Sequence, residues 1–87
     1  MKITFSEEGW EEYLYWQTQD KKTIKRINQL LQSIIRDGAM RGIGKPEVLR
    51  YSKQGLYSRR IDDANRLVYE VTTEHIIVNK CRGHYEE

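Results

Sequence analysis

The stretch from Gly55 to Arg82, GLYSRRIDDANRLVYEVTTEHIIVNKCR, decides the fold. It holds three β-like runs, GLYSRRI, NRLVYEV and HIIVNKCR, parted by the compact turn segments DDAN and TTE. Strand runs joined by short turns predict an antiparallel meander. If Ile61 pairs with Arg66 across DDAN, period-two alternation places Arg59, Ile61, Arg66 and Val68 on one face. Arg60, Leu67, Tyr69 and Val71 then take the other. That register projects Arg59 and Arg66 together, away from Leu67 and Tyr69.

Upstream, EVLRY reads as a further short strand and KITF at residues 2–5 as the first. Two helices lie between them. Ser6 suits an N-cap, with Glu7 and Glu8 in the favourable first turn, and this helix runs to about Thr18. Trp10, Tyr13, Leu14 and Gln17 share one of its faces. Asp20 caps a second helix, in which Ile24, Ile27, Leu30, Leu31, Ile34 and Ile35 recur at helical spacing. Gly38 suits the left-handed residue that ends a helix. The segment GAMRGIGKP is too rich in glycine and proline for a regular element and reads as a flexible connector. The order β-α-α-β-β-β-β gives an α+β fold, with the helices packed on one face of a small sheet.

The 87 residues allow one domain, 1–87, with one core. No apolar run approaches the ~20 residues that span a bilayer, and MKITFSEEGW has no signal-peptide core. A lone Cys81 cannot form an internal disulfide. These features lead to the expectation of a cytoplasmic protein without a membrane partner. The net charge is only +2, yet Arg41, Lys45, Arg50, Lys53, Arg59 and Arg60 crowd residues 41–60 against Glu47 alone. Such a surface attracts polyanions; the blander alternative is a solvated face of scattered bases.

Most familiar chemistries find no support. GIGKPE fits neither common phosphate-loop spacing and follows a helix rather than a strand. His75, Cys81 and His84 lack metal-ligand spacing, so no metal or cofactor is expected. Cys81 in an apolar run reads as a small buried hydrophobe rather than a nucleophile. There remain Glu47, whose basic neighbours suit a carboxylate that accepts a proton, and His84, which can donate one. Arg66 and Arg59 can hold a phosphate, and Tyr85 can stack on a base. Each has a plainer reading: a surface ion pair, a core-edge aromatic, a frayed tail. Spacing alone does not bring them together.

In order along nearly the whole chain, FSEEGWEEYLYWQTQDKKTIKRIN, GKPEVL, GLYSRRIDDANRLVYEV and CRGHY resemble the YoeB/Txe branch of RelE-like toxins. The resemblance implies a microbial-ribonuclease-like fold with two helices against a curved, mainly antiparallel sheet. It implies a toxin of a type II toxin-antitoxin system that cleaves mRNA at the ribosomal A site. There the 2′-hydroxyl attacks the adjacent phosphate and the 5′-oxygen leaves, without a metal. Carried onto this chain, Glu47 of GKPE is the general base and Arg66 of RLVY stabilises the transition state. His84 is the general acid and Tyr85 orients the nucleotide by stacking. Lys45, Arg50, Arg59 and Arg60 would support RNA binding. The implied partners are a YefM/Phd-type antitoxin, the 70S ribosome with its mRNA, operator DNA through the antitoxin complex, and a second copy in a homodimer. On this reading the tail ends the last strand and delivers His84 and Tyr85 to a concave face. Gly83 departs from the family's bulkier residue, and Glu86 and Glu87 extend past its usual end. The rival readings are a gyrase poison on the same fold, a non-catalytic module that binds RNA or antitoxin, and a degenerate toxin that has lost its rate.

Overall fold

The computed structural model describes residues 1–84. The elements run β1 (Lys2–Phe5), α1 (Glu7–Gln19), α2 (Lys21–Asp37), β2 (Glu47–Val48), β3 (Tyr57–Arg60), β4 (Arg66–Val71) and β5 (His75–Lys80). This is the α+β order expected from the sequence. The strands form one sheet in the order β1-β5-β4-β3-β2. Strands β2 to β5 make an antiparallel meander, and β1 joins β5 in parallel.

Both helices start where their capping residues stand. The Ser6 hydroxyl accepts from the Gly9 amide at 3.0 Å. The Asp20 carboxylate accepts from the Lys22 amide at 3.0 Å and the Thr23 hydroxyl at 2.9 Å. Helix α2 buries Thr23, Ile27, Leu30, Leu31, Ser33 and Ile34, and it ends at Gly38 with φ 101°. The core forms between these residues and Ile61, Leu67, Tyr69, Ile76, Val78 and Cys81. Ile35, expected in that stripe, stays 46% exposed.

Helix α1 departs from its expected inward face. Trp10 and Leu14 stay partly exposed, at 46% and 40%, while Gly9 is buried and Tyr13 and Trp16 pack against the core. Close approach decides the rotation: a β-carbon at Gly9 would lie 2.3 Å from the Val78 carbonyl oxygen. Only a glycine lets the helix backbone sit this near β5.

The hairpin register also differs from the expected one. Ile61 bonds to Asn65 rather than pairing with Arg66; its amide donates to the Asn65 carbonyl at 3.0 Å. The ladder therefore pairs Arg60 with Arg66, Arg59 with Leu67, Ser58 with Val68 and Tyr57 with Tyr69. The Asp62 carboxylate sets the tighter turn by accepting from the amides of Ala64 and Asn65 at 2.9 and 2.8 Å. One residue fewer in the loop sends Arg59 to the opposite face from Arg66.

Candidate functional site

Arg59 is fully buried on the helix side of the sheet. Its Nε donates to the Tyr69 hydroxyl at 2.9 Å, and its Nη1 donates to the Ser33 hydroxyl and the Ile43 carbonyl, both at 3.0 Å. Its Nη2 reaches the carbonyls of Gly38, Ala39 and Arg41 at 2.7, 3.3 and 2.6 Å. The Tyr69 hydroxyl in turn donates to the Ala39 carbonyl at 2.6 Å. The buried charge lies at the C-terminal end of α2, where the helix dipole favours a cation. Hydrogen bonds from Arg36 and Ser33 hold the Asp37 carboxyl below its ordinary value, and the charge of Arg59 adds to that shift. The expectation that Arg59 contacts RNA is thus corrected: its donors are committed to the interior. The glycine-rich segment is likewise not a free connector, since Arg59 pins its carbonyls.

The other face carries the remaining candidates. Glu47 in β2 stands opposite Ser58 in β3, which stands opposite Val68 in β4. Arg66 leans across this row. Its Nη1 donates to the Ser58 hydroxyl at 3.1 Å and reaches Glu47 Oε2 at 3.5 Å. Arg60, paired directly with Arg66, adds a second guanidinium on this face. A small satellite core of Leu49, Leu56 and Val68 anchors the Leu49–Leu56 loop on this side of the sheet. Lys45 and Arg50 are exposed. Lys45 holds φ at 50°, a left-handed conformation rare for a residue before proline. An open cleft of about 420 Å³ lies between Glu7, Glu8, Leu56, Val68, Glu70 and Lys80, and another of about 570 Å³ lies between Met40, Pro46, Glu47, Val48 and Arg50.

The tail reaches β4 by a route the alternation did not foretell. Strand β5 ends at Lys80, so the tail is not the continuation of the strand. Cys81 is anchored instead: its amide donates to Glu12 Oε1 at 2.8 Å and its carbonyl accepts from Trp16 Nε1 at 2.8 Å. Burial, with the Glu12 carboxylate adding to it, pushes the Cys81 thiol up to about 12, as suits an inert interior group. Gly83 then turns with φ 78°, a conformation that strains other residues. Its amide donates to Asn65 Oδ1 at 2.7 Å, and its carbonyl accepts from the Arg66 amide at 3.0 Å. Gly83 thus ties the tail to β4. His84 follows directly and is exposed. Tyr85, Glu86 and Glu87 lie outside the described residues.

The structure thus brings Glu47, Ser58, Arg60 and Arg66 to one face and ties the residue before His84 to the Arg66 backbone. Ser58 was missed by sequence reasoning. Its only signal was a small polar residue within a strand run. Among the described residues, no group of three or more His, Cys, Asp or Glu side chains is placed to hold a metal ion. Among the same residues, no helix is long and apolar enough to cross a membrane.

Comparison with known proteins identifies the family. Residues 5–85 match the family of YoeB-like toxins of bacterial type II toxin-antitoxin systems. The chain belongs to that family. It is 47% identical over 85 residues to the toxin YoeB of Streptomyces coelicolor, covering 98% of this chain and 100% of that one. The toxin YoeB of Escherichia coli is 46% identical with the same coverage. Among solved structures, the YoeB dimer from Staphylococcus aureus superposes with a TM-score of 0.93 at 52% identity, covering 98% of both chains. A heterotetrameric YoeB-YefM complex from the same organism gives 0.88 at 51% identity and the same coverage. The Escherichia coli DinJ-YafQ complex, at 17% identity and a TM-score of 0.78 over 95% of this chain and 92% of that one, shares the fold alone. The YoeB-like family is thus evident both in the order of the motifs and in the shape of the sheet.

Proposed function

We propose that this YoeB-like toxin is a ribosome-dependent endoribonuclease that cuts mRNA in the A site and thereby stops translation. The observation that carries the reading is the Glu47–Arg66 pair on the open sheet face, 3.5 Å apart and flanked by Arg60. A carboxylate beside guanidinium groups is the equipment that metal-independent phosphodiester cleavage needs. Glu47 takes the proton of the 2′-hydroxyl, and the resulting oxyanion attacks the adjacent phosphorus. Arg66 stabilises the charge that collects on the phosphorane oxygens. The P–O5′ bond then breaks, and His84 gives its proton to the departing 5′-oxygen. The products are a 2′,3′-cyclic phosphate and a 5′-hydroxyl end. Tyr85 stacks on the nucleotide, and Lys45, Arg50 and Arg60 hold the RNA backbone.

The family likeness also supports partners. We infer that a YefM/Phd-type antitoxin neutralises the chain and, as a complex with it, binds operator DNA. A homodimer is the proposed free form, as in the Staphylococcus aureus relative whose structure is described as a dimer. The cytoplasm, where ribosomes are met, is the proposed compartment.

Mapping 5′ ends on a defined mRNA in a purified translation system tests the nuclease reading. Cleavage should require ribosomes and fall in the A-site codon. Glu47→Gln and His84→Ala should each lower its rate by about 10²–10⁴-fold. Wild-type protein that binds ribosomes or antitoxin but cuts nothing would replace this reading with that of a binding module or a degenerate toxin.

A further inference from the structure

We propose that Ser58 is a positioning residue for Arg66, holding its guanidinium over the sheet with a neutral hydrogen bond that leaves its charge free for a phosphate. The inference rests on the cleavage reading above and names a residue that reading does not use. Ser58 is fully buried in β3, midway between Glu47 on one neighbouring strand and Val68 on the other. Arg66 Nη1 meets two acceptors there: the Ser58 hydroxyl at 3.1 Å and Glu47 Oε2 at 3.5 Å.

The two acceptors differ in what they do to the cation. A carboxylate neutralises it; a hydroxyl locates it without spending its charge. In the resting site Arg66 has both. When Glu47 turns to the 2′-hydroxyl, the carboxylate is drawn away and Ser58 remains. Its hold matters because Arg60 sits directly opposite Arg66, and like charges so placed repel. The Arg66 backbone is secured separately, through the Gly83 carbonyl at 3.0 Å. Arg66 is thus held at both ends, its amide by the tail and its guanidinium by Ser58. A preorganised cation of this kind needs no reorientation as charge develops on the phosphate.

Single-turnover cleavage of ribosome-bound mRNA by wild type, Ser58→Ala, Arg66→Ala and the double variant provides the test. Ser58→Ala should slow cleavage by about 10-fold or more while leaving ribosome affinity unchanged. In the Arg66→Ala background the same substitution should cost nothing further, since the group it positions is gone. An equal fold-loss in both backgrounds would assign Ser58 a merely structural role and overturn the proposal. So would a Ser58→Ala rate equal to wild type. If Ser58→Ala does not fold, the nearly isosteric Ser58→Cys, with its weak acceptor, takes its place with the same expectations. Wild type cutting normally while Ser58→Ala matches it removes only this proposal; wild type that never cuts removes the cleavage reading and this proposal with it.

Discussion

Arg59 and Arg66 sit on the same hairpin, carry the same side chain and meet opposite fates. Arg59 faces the helices, is fully buried and spends its donors on Tyr69, Ser33 and four loop carbonyls. Arg66 faces outward, keeps about a quarter of its side chain exposed (26%) and, among the described residues, its guanidinium meets Ser58 and Glu47. The first is an organiser of backbone; the second, on the proposed cleavage reading, is a cation held ready for an anion. A guanidinium becomes structural when its five donors all find partners inside, and stays available when few do. The sheet assigns the two roles by pointing them to opposite faces.

The sharpest way to break this contrast is Arg59→Ala. It should cost about 3–5 kcal/mol of stability in urea denaturation, because buried carbonyls and a hydroxyl lose their donor together. Arg59→Lys should recover only part, since an ammonium cannot span acceptors on several sides. A loss below about 1 kcal/mol for Arg59→Ala would mean that the loop holds itself. Arg66→Ala should show the reverse profile. Its stability should change by no more than about 1 kcal/mol, as for an exposed ion pair. Cleavage, in the translation assay, should fall about 10²–10³-fold. Unfolding of this variant would erase the distinction.

Tyr69→Phe sharpens the helix side by removing one hydroxyl from the Arg59 cluster. Burial holds that phenol above its ordinary pKa, so it stays a donor to the Ala39 carbonyl across the neutral range. The loss should be about 1–2 kcal/mol, with faster amide hydrogen exchange confined to the segment 38–43.

Cys81 reports on the same side, and only at alkaline pH. Its folded-state value of about 12 means that the unfolded chain releases this proton first as pH rises. The unfolded state then binds fewer protons, so stability falls with pH. This contribution is fully present below about pH 9 and is lost as pH climbs through about 12. Its slope is at most about 1.4 kcal/mol per pH unit. Comparing the pH dependence of unfolding for wild type and Cys81→Ala isolates it, and equal slopes would contradict the burial of the thiol.

Much of this was legible in the sequence. Ser6, Asp20 and Gly38 mark their helix ends because caps are local: a side chain or a glycine acts within three residues. The spacing from Ile27 to Ile34 marks a buried helix because period 3.6 is a property of the segment itself. KITF and the three downstream runs announce strands for the same reason. The ordered motifs around Glu47, Arg66 and His84 point to the family.

Tertiary structure decided what local pattern could not. The turn at Asp62 is one residue tighter than DDAN suggests, and in a strand of period two a single step exchanges the faces. It sent Arg59 inward to the loop and left Arg60 beside Arg66. The contact of Gly9 with Val78 rotated α1, and its cause lies far along the chain. Ser58 gained its place because β2, β3 and β4 lie side by side. The tail reached Arg66 through Gly83 and Asn65, a meeting that sequence distance conceals. Composition and periodicity thus determined which elements form and in what order, since those depend on neighbours along the chain. Which arginine is spent and which is spared was settled by neighbours across the sheet.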